Sequence, residues 1–325
     1  MSHYVVRRAL LTLVTLFLFS LILFLLVRRL PGDAALLKSA AGETSGPVDP
    51  SVTLALRKQF HLDRPVLVQY FEWVVSISHG DFGRSFWTGD RAAQDLLTAL
   101  PVTLELVVLS VSFSVFIGLL VGVVSAVQHD RPVDHALRLF ALFGLSIPNF
   151  WVGTILILVP ALFWHYLPPL GYTSILQDPA TNLRQFLAPA AALGWALSAS
   201  IMRLTRSEML EVLNQDYVRT AWAKGLRARS VLLNHCLRNA FIPVITIIGV
   251  QVGFLLGGTV AVESVYGLPG IGTLLINGIN QRDYPIIQTG VLALALWFIL
   301  INFLVDLAYA LIDPRIRLSA EGAAG

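Results

Sequence analysis

Six long stretches of the chain, 9–27, 106–128, 139–164, 185–202, 240–262 and 286–305, are apolar and nearly free of charge. A helix rises about 1.5 Å per residue against a hydrocarbon layer of about 30 Å, so roughly 18 such residues can span it. Backbone N–H and C=O groups find no water in lipid, and the barrel alternative needs short alternating strands, which these runs are not. The pattern predicts an all-α integral membrane protein of about six transmembrane helices. The fourth run is the weakest, interrupted by Pro189, Gly194 and polar side chains. It is counted because neighbouring helices can cover a freed backbone. The first run follows Arg7 and Arg8 as a signal peptide would, yet it is long and ends in Val27, Arg28 and Arg29 rather than in small residues. That ending reads as an uncleaved anchor.

Two polar segments break the apolar pattern. Residues 31–98 carry enough charge to be soluble, and Pro50 with Ser51 predicts a helix through Phe60, with a break at 63–65 and a second helix to about Ser78. Residues 203–239 are far longer than a turn between two spans. They read as helical through Leu213, pass Asn214, Gln215 and Asp216 into a second short helix, and stop at Gly225, where a glycine closes a helix. The expected organisation is a first transmembrane helix over 1–30, a cap domain outside the membrane over 31–98, a transmembrane body over 99–312 and a cytoplasmic tail over 313–325.

Composition agrees. The 325 residues are 56% hydrophobic and 13% charged, with a mean hydropathy of +0.72, whereas soluble domains carry about a quarter charged residues. The lone cysteine, Cys236, excludes an internal disulfide and reads as apolar filler. A net charge of +3 does not point to nucleic acid, because the basic residues flank the apolar runs instead of forming one face. They set orientation instead. With the N-terminus inside, the cytoplasmic pieces hold Arg7 and Arg8, Arg131 and Arg138, the bases of 203–239, and Arg315 and Arg317. The short outside loops, 165–184 and 263–285, hold only Arg184 and Arg282. Arg28 and Arg29 run against this count, but they open a long segment, which obeys the charge rule poorly.

The stretch 216–226, DYVRTAWAKGL, followed by Asn234 and His235 and by Arg238, Asn239 and Ala240 leading to Pro243, resembles the conserved cytoplasmic loop of binding-protein-dependent ABC permeases. Arg219, Thr220 and Ala221 stand where that superfamily has Glu-Ala-Ala, and Gly225 stands at its glycine. The missing glutamate and the longer distance to the proline are similar to the oligopeptide/dipeptide/nickel branch. So are PGD at 31–33, HLDRPVLVQYFEW at 61–73, HGDFGRSF at 79–86, ESVYGLPGIG at 263–272 and DLAYALIDPRIR at 306–317. The resemblance implies a type I ABC transmembrane domain in the bacterial inner membrane. It further implies a homologous second permease subunit, two ABC ATPase subunits and an extracytoplasmic substrate-binding protein, with di- or oligopeptides as cargo. ATP and Mg would then be used by the partner chains. The chain has no Gly-Lys pair and hence no phosphate-cradling loop, no catalytic residues are expected, and no cofactor or metal is expected in the chain.

By the same resemblance the loop helix docks on the ATPase, through Asp216, Tyr217, Arg219, Thr220, Ala221, Trp222, Lys224, Gly225 and Leu226. The residue types suit that role: Tyr217 and Trp222 offer rigid contact area, Ala221 and Ala223 permit close approach, and Arg219 and Lys224 can meet acids. Gly118 and Gly122, and Gly249, Gly253 and Gly257, fall at four-residue spacing and are candidates for close helix packing. Gln251, Thr259 and Glu263 are candidate pathway residues, with Glu263 alternatively a structural cap to the loop after it; Glu105 and Asp306 pair or face water at span ends. Nickel chelates, glutathione and modified peptides remain alternative cargoes. An ion-driven transporter would show an internal repeat and midplane carboxylates, and neither is clear. An embedded enzyme would need a catalytic cluster, and the nearest, His129, Asp130, Asp134 and His135, reads as a solvated loop.

Overall fold

The computed structural model describes residues 2–30, 32–42 and 50–312; Pro31 and the tail over 313–325, with Arg315 and Arg317, lie outside the described residues. The elements are α1 (Ser2–Arg29), α2 (Ala34–Gly42), α3 (Pro50–Gln59), α4 (Val66–Ser78), α5 (Ala92–Val127), α6 (Pro132–Ser146), α7 (Asn149–Trp164), α8 (Pro179–Leu213), α9 (Asp216–Ala223), the single turn α10 (Ala228–Ser230), a π-helical stretch (Val231–Leu237), α11 (Arg238–Tyr266), α12 (Ile271–Gln281) and α13 (Tyr284–Ile312). Among the described residues there is no strand, only one antiparallel bridge between Arg84 and Arg91. Four helices are long and apolar enough to cross a membrane, and six spans result when each of two bent pairs counts as one.

The chain divides into two units, 1–103 with 269–299, and 104–268 with 300–325. The residues of 31–98 share the first unit with α1, the start of α5, α12 and the start of α13. Polar anchoring explains why. The buried carboxylate of Asp283 accepts from Ser85 Oγ and from the Phe86 amide at 3.1 Å, and Trp87 Nε1 donates to the Gln281 carbonyl at 2.7 Å. Aromatic packing ties α4 to α1, with Phe24 edge-on to Tyr70 at 5.4 Å. Arg28, which runs against the charge count, lies between the rings of Phe24 and Tyr284, 5.0 and 4.7 Å from their centres.

The second unit is built around α8. Asp178 caps its N-terminus by accepting from the Ala180 and Thr181 amides, and Pro179 at the first position has no amide to satisfy. The Thr181 hydroxyl, followed by these amides, holds the Asp178 carboxyl below its ordinary range. The apolar window of α8 is 67% buried, against 28% for α5, as α6, α7 and α11 pack on it. This covering accommodates Pro189 and the polar side chains that weaken it as a sequence signal. Gly118 and Gly122 of α5 lie against α8, where added Cβ atoms would come within 2.7 Å of Ile201 and Thr205. From the other side, a Cβ on Gly194 would sit 2.6 Å from the Ser110 carbonyl, and Ser114 Oγ donates to the Gly194 carbonyl at 2.8 Å. Along α11 a Cβ at Gly257 meets nothing within 4 Å, whereas one at Gly258 would sit 3.0 Å from Leu193.

The run 139–164, read as one span, is two helices. α6 and α7 meet at 108°, because Ile147 precedes Pro148 and is driven to extended backbone, φ −96° and ψ 129°. Gly194→Val is expected to lower the melting temperature of the detergent-solubilised protein, at a cost of about 1–3 kcal/mol for overpacking. Gly257→Ala in the same assay is expected to leave it unchanged or raise it.

Candidate functional site

The segment 203–239 folds back on the bundle as a small helical platform. α8 ends at Leu213, and Asn214 Nδ2 donates to the Leu210 carbonyl at 2.9 Å as the chain turns. α9 then runs with one apolar seam. Val218 and Ala221, three apart, are 0% and 6% exposed and pack into a cluster with Ala126, Met209, Val231, Cys236 and Ala240. At about 100° per residue, Tyr217 and Trp222 fall on either side of that seam, while Asp216, Thr220 and Ala223 point away from it. Both aromatic side chains are exposed, 42% and 44%.

The helix is closed at its C-terminus by two paired amides. Gly225 has φ +73°; its amide donates to the Trp222 carbonyl at 2.9 Å, and the Leu226 amide to the Ala221 carbonyl at 3.3 Å. This crossed pair is the Schellman arrangement, which requires the left-handed conformation that glycine adopts without steric cost. At the far edge Asn239 Nδ2 donates to Tyr217 Oη and to the His235 carbonyl, both at 2.9 Å, linking the exposed ring to the start of α11. Arg219 stands 3.6 Å from Asp216, and Lys224, Arg227 and Arg229 are exposed beside it. The surface is therefore two rigid rings among bases, on a helix that the bundle holds from beneath.

Sequence reasoning missed the support under this platform. Asp134, expected in a solvated loop, is fully buried. Arg206 grips it with two bonds, Nε to Oδ1 at 2.8 Å and Nη2 to Oδ2 at 2.7 Å, while Ser125 Oγ and the Asp130 amide also donate to it. The contact joins α6 to α8 one turn before Met209, which underlies α9. Arg206 read as one more topological base, since nothing local marks a partner on another helix. The π-helical stretch that buries Cys236 had no sequence signal either; burial raises the pKa of its thiol.

The candidate pathway residues all lie on α11. Thr259 and Glu263 are fully buried, and Thr259 Oγ1 donates to the Leu256 carbonyl at 2.8 Å; Gln251 is half-buried. The Glu263 carbonyl accepts the Leu268 amide at 2.9 Å across Gly267, at φ +63°. Glu105 pairs: it accepts from Tyr172 Oη at 3.0 Å and from Asn182 Nδ2. Burial, then the neighbouring carboxylate, pushes the Tyr172 phenol up. Among the described residues no three His, Cys, Asp or Glu side chains come together as a metal site would need.

Residues 118–318 match the family described as "Binding-protein-dependent transport system inner membrane component", and residues 1–107 match its N-terminal companion, "Binding-prot-dependent transport system membrane comp, N-term". The chain belongs to this family. Among its relatives is the probable peptide ABC transporter permease protein y4tP of Sinorhizobium fredii, 40% identical over 98% of this chain and 100% of that protein. The glutathione transport system permease protein GsiC of Escherichia coli K12 is 39% identical over 98% of this chain and 99% of that protein. An inward-facing structure of the MetNI methionine ABC transporter shares the fold, with a TM-score of 0.54 at 18% identity, covering 67% of this chain and 96% of that one.

The chain is thus a multi-pass inner-membrane permease, and its best-defined exposed feature is α9 on its platform. Asp134→Ala is expected to destabilise the permease by about 3 kcal/mol or more, because the Arg206 guanidinium is left without its partner. Thermal unfolding of the solubilised protein checks this; an unchanged midpoint contradicts the supporting role.

Proposed function

We propose that the permease carries di- or oligopeptides, handed over by an extracytoplasmic binding protein, and that separate ATPase chains drive it by gripping α9. The observation that carries this reading is the division of α9 between a seam buried in the bundle, Val218 and Ala221, and a free face of Tyr217, Trp222 and bases. A helix fixed on one side and exposed on the other transmits a push from a partner into the spans. It needs no nucleotide site of its own. Both termini lie in the cytosol in this reading, with residues 31–98 outside. A homologous second permease subunit completes the pathway, and Gln251, Thr259 and Glu263 line it in states in which α11 moves away from its neighbours.

A second cargo deserves a test because the glutathione permease covers the chain as fully as the peptide permease does. Uptake of a labelled dipeptide, competed with unlabelled dipeptides or with glutathione, separates the two. Competition by peptides alone supports the first reading; competition by glutathione alone supports the second.

The docking role has its own expected outcome. A β-branched side chain at φ +73° is strained by about 1–3 kcal/mol, which unlocks the closing turn of α9. Gly225→Val is expected to insert into the membrane normally and to assemble, yet to lower peptide uptake at least tenfold while ATP hydrolysis by the complex continues. Normal uptake by this variant contradicts the docking assignment.

A further inference from the structure

The block HGDFGRSF, 79–86, takes no part in α9 or its platform, yet it shapes a concave feature of the first unit. Residues 79–91 fold around a cleft of about 810 Å³. Three permanent cations line it, Lys38, Arg84 and Arg91, against one carboxylate, Asp81. Phe60 and Phe86, stacked at 4.0 Å and 11° apart, form an apolar wall. The single acid, Asp81, is exposed, and its Oδ1 accepts the Gly83 amide at 2.9 Å. Lys38 reaches the Phe86 and Trp87 carbonyls, and Arg84 Nη1 donates to the Gly89 carbonyl at 3.1 Å. Arg91 has no side-chain partner among the described residues.

The floor of the cleft is built in advance. Asp283 holds Ser85 and Phe86 from beneath, and Trp87 is tied to the Gln281 carbonyl, so the cations stand on a fixed loop. An arginine fork with unused donors matches a carboxylate with two parallel bonds. The size selects the kind of ligand. Small-molecule sites occupy about 300–1,000 Å³, whereas a protein partner covers a broad face of about 800 Å² with no need for a hollow. We propose that this cleft receives the free carboxylate of a small peptide, with an adjacent side chain against the Phe60 and Phe86 wall. The proposal rests on the peptide-import reading and adds to it a site on the permease itself.

The test is a titration of trialanine and of trialanine amide onto the assembled complex in nanodiscs, without the binding protein, followed by ligand-observed NMR. Saturable binding of trialanine is expected, at least tenfold weaker for the amide. The Arg84→Gln/Arg91→Gln pair is expected to bind trialanine as weakly as the amide. Arg91→Gln alone, which breaks no bond in the chain, should shift affinity in the same direction by less. Unchanged trialanine binding in the double variant overturns the proposal. So does a variant that binds trialanine normally but loses affinity for the binding protein, which would assign the cleft to an acidic protein surface. Uptake driven by the binding protein is measured separately: uptake without titratable binding overturns the cleft and leaves the import reading standing, and no uptake of any peptide overturns the import reading.

Discussion

The whole account depends on the seam between α9 and the bundle. An eight-residue helix is too short to persist alone in water, because nucleation fixes several residues before hydrogen bonds accumulate. Its order must come from tertiary contact. Burial of Val218 supplies about 1.5–3 kcal/mol, Ala221 lets the backbone lie close, and the crossed bonds at Gly225 stop the last turn from fraying. A rigid protrusion results, whose aromatic flanks are displayed instead of being drawn into the core.

What lies under the seam explains why it can bear load. Ala126 belongs to α5, Met209 to α8, Val231 and Cys236 to the π-helical stretch, and Ala240 to α11, so one small cluster joins four elements that continue into the apolar bundle. Asp134 and Arg206 tie α6 to the same end of α8. Farther along α8, glycines at 118, 122 and 194 let it and α5 approach closely enough that an added Cβ would clash. On the docking proposal, this packing is the route by which a displacement of α9 passes to the apolar helices.

Much of this was legible in the sequence where the signal is local. The bounds of α3 and α4, the end of α8, and the start and stop of α9 follow from proline, asparagine and glycine at positions whose chemistry decides the turn. Features set by distant neighbours were not legible. The bend at Pro148 hides inside a continuous apolar run, since hydropathy carries no direction. Gly257 and Gly258 differ by about 100° around α11, and only the packing of Leu193 chooses between them. Asp134 looked solvated because its partner Arg206 is distant in sequence, and the grouping of 31–98 with α12 depends on Asp283 in the same way. For the candidate site, Tyr217, Trp222 and the bases of α9 could be named from the sequence; the buried seam could not, and Ala221, expected on the docking face, lies in that seam instead.

The most direct test is accessibility at the free face of α9. Cys236 is buried and its thiol is held protonated, so it gives little background, and Thr220→Cys places a single reactive thiol on the side away from the seam. A membrane-impermeant maleimide is expected to label it in inside-out vesicles, to miss it in right-side-out ones, and to be blocked when the ATPase chains are bound. Labelling from the outside, or labelling unaffected by the ATPases, would contradict the account.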